Sequence, residues 1–217
     1  MDNKKLAQLI YSVAQYEGYN TSVLQTQKNL STHKEEWSFS TESDRYIFED
    51  LLKAIQYASV QEKVTVEVVK GINAQMNSKM SGQPESPGEL RKNVPIHVGD
   101  YVPAETVTEN MLKRQIETVT GNTVQDGWEL YARLSKLQPF DDGNKRTALI
   151  SANLLVGSLN DDNKDYLVIP TDFRKIKFDG SLVYYYMADD WDDHMPDEQA
   201  SLTDFVRFAT AFTIENQ

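Results

Sequence analysis

The sequence predicts an all-α domain with one short β-hairpin. Three observations carry that expectation. Apolar residues recur at helical spacing in successive segments, from Leu6–Ala14 to Leu202–Ile214. Polar, glycine- and proline-bearing breaks such as Ser81–Gly88 and Thr120–Asn122 separate those segments. One stretch, Asn93–Pro103, reads instead as two short strands around Gly99-Asp100.

The elements follow in order. Leu6, Leu9, Ile10, Val13 and Ala14 describe a first helix that stops at Gly18. Asn20–Ser43 is polar, a connection with room for one short helix, where His33 is a surface residue and Trp37 a packing anchor. A helix capped by Ser43 or Asp44 carries Ile47, Leu51, Leu52 and Ile55. The next runs from about Thr65 to Met80, where period and length outweigh the β-branched residues. The hairpin is kept short by Pro95 and Pro103. Helices are expected over Glu105–Val119, Val124–Leu137 and from near Asn144 to Leu159. Tyr166–Pro170 reads as extended, Phe178–Met187 and Leu202–Ile214 as helical. The acidic run Ala188–Glu198 has no ligand spacing and reads as a solvated connection. Organisation is expected as residues 1–43, an N-terminal helix and connection with a regulatory character, and 44–217, the main domain.

Composition narrows the function classes. The chain has 217 residues, 40% of them hydrophobic, which suits one globular domain with an extension. A net charge of −11 argues against nucleic acid held on a basic face. With no cysteine there is no disulfide or thiolate metal site, which suits the cytoplasm. No apolar run approaches the roughly 18 residues a membrane helix needs. Walker-type, H-E-x-x-H and G-x-S-x-G patterns are absent.

Chemistry gathers at Leu137–Ala148, a polar loop entering a long apolar helix. A helix N-terminus presents unpaired N–H groups and a positive dipole end to an anion. Gly143 allows close backbone approach, and Lys145 and Arg146 add positive charge. Asp142 is a candidate Mg²⁺ ligand, in a site completed by substrate phosphates. Together they describe a di- or triphosphate cradle.

Gln138-Pro139-Phe140-Asp141-Asp142-Gly143-Asn144-Lys145-Arg146 resembles the Fic/Doc signature, H-x-F-x-[D/E]-G-N-[G/K]-R. Pro87-Gly88-Glu89-Leu90-Arg91 is similar to the family's P-G-x-x-R turn ahead of the hairpin. The resemblance implies a Fic-like helical fold over Tyr46–Ile214, with the hairpin as a flap. It implies that Phe140 anchors the loop, Asp142 holds Mg²⁺, Gly143 and Asn144 form an anion hole, and Arg146 binds terminal phosphates. ATP would be the substrate and a protein Ser, Thr or Tyr hydroxyl the acceptor of AMP. Ile96, His97 and Val98 on the flap would pair with that target protein.

Two departures qualify the resemblance. Gln138 stands where the family has its catalytic histidine, and a neutral amide cannot take a proton at physiological pH. Losing a positioned base costs about 10²–10⁴ in rate. Lys145, where AMP-transferring members usually have glycine, resembles the Doc branch, which transfers the γ-phosphate. Three readings therefore stand: a weakened adenylyltransferase, a silent nucleotide- and protein-binding module, and a Doc-like kinase. The family also includes self-inhibited members, with a motif [S/T]-x-x-x-E-[G/N], and members held by an inhibitor protein, as in toxin–antitoxin pairs. Glu17-Gly18 fits the end of that motif, with Val13 at the Ser/Thr position and Ser12 beside it; Glu215-Asn216 is a second near miss. Oligomer formation stays open.

Overall fold

The computed structural model describes residues 2–78, 84–164, 166–189 and 197–214. Most of the acidic run and Glu215-Asn216 lie outside them. The described helices are α1 (Asn3–Ala14), α2 (Val23–Ser31), α3 (Glu42–Ser59), α4 (Val66–Ala74), α5 (Glu109–Thr118), α6 (Val124–Leu137), α7 (Asn144–Val156), α8 (Arg174–Met187) and α9 (Glu198–Ala209). Two-residue strands β1 (Tyr166–Leu167) and β2 (Thr213–Ile214) pair antiparallel. None of the described helices is long and apolar enough to cross a membrane.

Helix α7 is the axis. It is buried on nearly every side, and α6, α3, α4 and α1 all pack against it. Such a helix needs its polar side chains satisfied from within. Ser151 donates to Thr147 O at 2.8 Å. Asn153 donates to Leu149 O and Leu167 O, each at 3.0 Å, and accepts from Leu167 N at 2.9 Å, which docks β1. Beside it Trp128, Tyr131, Phe178 and Phe205 form an edge-to-face aromatic cluster joining α6, α8 and α9. The buried face of α1 belongs to the same core.

Several boundaries differ from the sequence expectation, each for a visible reason. Helix α3 is capped by Thr41, not Ser43 or Asp44. Asp44 is buried and accepts from Thr21 Oγ1 at 2.6 Å. Helix α4 stops at Ala74 instead of continuing toward Met80, because Asp50 captures Ser78 N at 3.0 Å and turns the chain away. Helix α5 starts at Glu109, not Glu105, since Thr108 caps Met111 N and Val107 N is drawn to Arg91 O at 2.9 Å. The final helix ends at Ala209, and residues 213–214 pair with β1.

The hairpin is slighter than expected: it reduces to one antiparallel bridge, Val98–Tyr101, around a turn with Gly99 at φ +62°. Pro95 and Pro103 supply no N–H, so the ladder cannot extend. Arg91 replaces the missing ladder by collecting carbonyls.

Candidate active site

Helix α6 ends at Gln138, whose φ of 49° is left-handed. Its N–H donates to Leu134 O at 3.1 Å, and its side-chain Nε2 donates to Ser135 O at 2.6 Å. The chain then folds as a tight loop to Gly143, which begins α7 with φ +74° and gives that helix no side-chain cap. Both ends of the loop therefore turn on left-handed residues; no Gly143 side chain caps α7, and the Gly143 N–H itself donates to Asp142 Oδ1.

The loop is held from four directions. Asn144 clamps it internally: Phe140 N donates to Asn144 Oδ1 at 2.8 Å, and Asn144 Nδ2 donates to Phe140 O at 2.9 Å. The Phe140 ring below is fully buried. From α4, buried Asn73 donates to Asp142 O at 3.0 Å and Thr147 Oγ1 at 3.2 Å, and accepts from Gly88 N at 2.8 Å. Gly88 must be glycine on two counts, a φ of +79° and a Cβ position only 2.8 Å from Ala74 Cβ. Asp141 accepts from Glu85 N and Ser86 N at 2.9 and 3.0 Å.

Arg91 fixes the loop to the flap. Its Nε donates to Gln138 O at 2.7 Å, one terminal nitrogen donates to Val94 O at 2.6 Å, and the other to Ala104 O at 2.8 Å. Burial lowers its pKa from the ordinary arginine value, with Tyr101 acting in the opposite direction. Tyr101 secures the other arm of the flap, donating to Lys136 O at 2.9 Å with its ring 5.3 Å from that of Tyr186.

These constraints frame a cleft of about 500 Å³. The structure brings Glu17, Ile96, His97, Val98, Gln138, Asp142, Gly143, Asn144, Lys145 and Arg146 together around it, while Phe140 lies beneath. The Asn144 side chain is committed to the loop, so the group it could offer an anion is its main-chain N–H. Arg146 is almost wholly buried and pairs with Asp142 Oδ1 at 3.1 Å and with Glu17 Oε1 at 3.0 Å. Glu17 reaches it from the 3₁₀ turn Gln15–Glu17 that continues α1, and Gly18 at φ +72° ends that turn. Ser12, beside the motif position, turns back to Leu9 O at 2.9 Å.

Burial raises the Glu17 pKa; Arg146 opposes the rise, Asp142 adds to it and Lys145 opposes it. Burial lowers the Lys145 pKa, against an opposing pull from Asp179. The Lys145 ammonium lies 4.3 Å from the centre of the Tyr16 ring, and Lys175 lies 4.2 Å from it. Tyr16 in turn donates to Asp179 Oδ1 at 2.8 Å. Among the described residues no three His, Asp or Glu side chains form a preformed metal cage. Asp142, with 43% of its side chain exposed at the cleft, suits a magnesium ion that takes one carboxylate and fills its remaining positions with phosphate oxygens and water.

Asn73, Asp141 and Tyr16 are site-shaping residues that sequence reasoning missed. The available signal for Asn73 was an asparagine beside Ile72, four residues after Val69 and five after Val68, on an otherwise apolar face. Tyr16 had only its adjacency to Glu17.

Residues 63–156 match the family described as Fic/DOC. No curated protein sequence matches the chain. Among solved structures, the fold is similar to a Fic domain containing signaling protein from Bacteroides thetaiotaomicron, with a TM-score of 0.69 and 16% identity over 97% of this chain and 84% of that one. It is similar to residues 134–508 of Fic-1 from C. elegans, with a TM-score of 0.63 and 17% identity over 98% of this chain and 61% of that one. A glutamate-to-glycine variant of the same nematode protein gives 0.65 and 16%, over 95% and 59%. The chain thus spans about three fifths of the nematode chains, and at these identities the likeness is one of fold.

Proposed function

We propose that this chain, whose residues 63–156 match the Fic/DOC family, transfers AMP from ATP to a hydroxyl of a protein target. The observation that carries the proposal is the uncapped start of α7, where Gly143, Asp142 and buried Arg146 face one cleft beneath a flap. Main-chain N–H groups and the Arg146 guanidinium would hold phosphate oxygens, and would stabilise charge that develops as the α-phosphate is attacked. Asp142 would hold a magnesium ion, whose contribution is neutralisation of phosphate charge. Ile96 and Val98 would pair with an extended stretch of the target, and Arg91 sets the height of that stretch above Gln138.

Glu17 restrains the reaction. Its carboxylate occupies the guanidinium face of Arg146 that a terminal phosphate needs. The chain would be self-inhibited until Glu17 withdraws or is protonated.

A second reading, a binding module that holds nucleotide and partner without turnover, is favoured by Gln138. Its amide is tied to Ser135 O and is no base. Incubating the protein with Mg²⁺, a host lysate and ATP labelled at α or γ separates the readings. Protein bands labelled from α-ATP, stronger in Glu17→Gly, support AMP transfer; label from γ-ATP alone means phosphoryl transfer of the Doc type. ATP binding without label from Glu17→Gly or from its Gln138→His derivative means the binding module.

A further inference from the structure

We propose that His97, on the flap, is the general base that serves in place of the missing signature histidine; the inference rests on the transferase reading above. One guanidinium, that of Arg91, bonds both Gln138 O at 2.7 Å and Val94 O at 2.6 Å, so the first arm of the flap starts beside Gln138. The second arm returns through Tyr101, whose hydroxyl bonds Lys136 O two residues before Gln138, at 2.9 Å. Three residues of chain span at most about 10–11 Å. His97, three residues beyond Val94, is therefore confined to an arc clamped at both ends next to the position where a base is needed. It lines the same cleft as Gln138.

Elimination gives the same answer. Of the other titratable groups facing that cleft, Glu17 from the first-helix turn and Asp142 from the loop both pair with Arg146. Asp141 from the loop accepts two main-chain N–H groups. Lys145 on α7 lies over the ring of Tyr16, and Tyr16 donates to Asp179 of α8. The His97 ring makes no hydrogen bond or ion pair among the described residues. It is an uncommitted imidazole on the element proposed to present the target, and a neutral imidazole nitrogen can accept a proton.

The step balances. A ring nitrogen of neutral His97 takes the proton of the target hydroxyl as its oxygen bonds to the α-phosphorus of ATP. The bond from that phosphorus to the bridging oxygen breaks, and pyrophosphate leaves with the electron pair. Imidazolium then releases its proton to water. Gln138 stays unprotonated throughout and shapes the floor.

The test is single-turnover transfer from α-labelled ATP onto lysate proteins by the full chain carrying Glu17→Gly, which removes the restraint and its titration. Adding His97→Ala should lower the rate about 100-fold or more, with ATP affinity within about twofold. Imidazole added to the buffer should restore part of it, and Gln138→His should restore most of it. His97 is exposed, so an unchanged melting temperature is the expected control. If Glu17→Gly labels and His97→Ala does not slow it, or if imidazole and Gln138→His fail to rescue, His97 is not the base. If only the Gln138→His derivative labels, the base proposal falls and the native chain is the binding module, its nucleotide cradle intact. If nothing labels, both fall.

Discussion

The loop from Gln138 to Arg146 and the flap from Val94 to Pro103 face one another across the cleft, and they are built on opposite principles. The loop is fixed by side-chain bonds to main-chain atoms: Asn144 clamps it from within, Asn73 of α4 holds Asp142 O, and the loop's own Asp141 holds Glu85 N. The flap has one bridge and is fixed at its ends, by Arg91 and Tyr101. The difference fits the work proposed for each. Phosphate geometry is the same in every turnover, so donors fixed in advance need no reorganisation. A target strand varies, and an edge left short of partners can add one.

That contrast makes the loop costly to change and the flap cheap. Asn144→Ala should show the largest effect, a loss of about 2–4 kcal/mol in urea unfolding, because it orphans the buried N–H and C=O of Phe140. An effect below about 1 kcal/mol would mean the loop is held without its clamp. Arg91→Met should cost about 1–3 kcal/mol and speed hydrogen exchange across residues 94–107; unchanged exchange would show that the flap stands without its tie. Gly143→Ala should cost about 1–2 kcal/mol, from its positive φ and from a Cβ placed 3.1 Å from Asn73 Nδ2. Ile96→Ala should change stability by less than about 1 kcal/mol yet reduce transfer to lysate targets. Equal losses of stability at Ile96 and Gly143 would remove the distinction between the two regions.

Glu17 sharpens the comparison through pH. Its pKa is raised in the folded chain, so the native state binds that proton more tightly than the unfolded state. The resulting stability is present below the ordinary glutamate value of 4.5 and is lost as pH rises through the elevated folded value. Glu17→Gln should flatten that part of the stability–pH curve, measured by thermal melts from pH 4 upward.

The sequence disclosed the loop better than its surroundings. Gly143, Asp142 and Arg146 were legible as a cluster because a glycine that opens a helix fixes the spacing of its neighbours, and the structure brings all three to one cleft. The long apolar run after Asn144 was legible because burial on all sides leaves a continuous signal. Helix α4 was overrun because what stops it is Asp50, 28 residues before Ser78 and invisible to local period. Asn73 was hidden for the same reason: its partners lie 15, 69 and 74 residues away. The flap was over-read because alternation promises a ladder, whereas Pro95 and Pro103 withhold the donors. Glu17 was suggested by two residues of a motif whose third is misplaced, and only the fold brings it to Arg146.

Calorimetric titration of ATP with Mg²⁺ into the native chain and into Glu17→Gly tests most directly whether Arg146 serves a phosphate in competition with Glu17. The account predicts binding to both, tighter by about tenfold or more in Glu17→Gly, equivalent to about 1.4 kcal/mol, with the gain abolished by Arg146→Ala. Equal affinity in the two chains, or no binding to either, would contradict it.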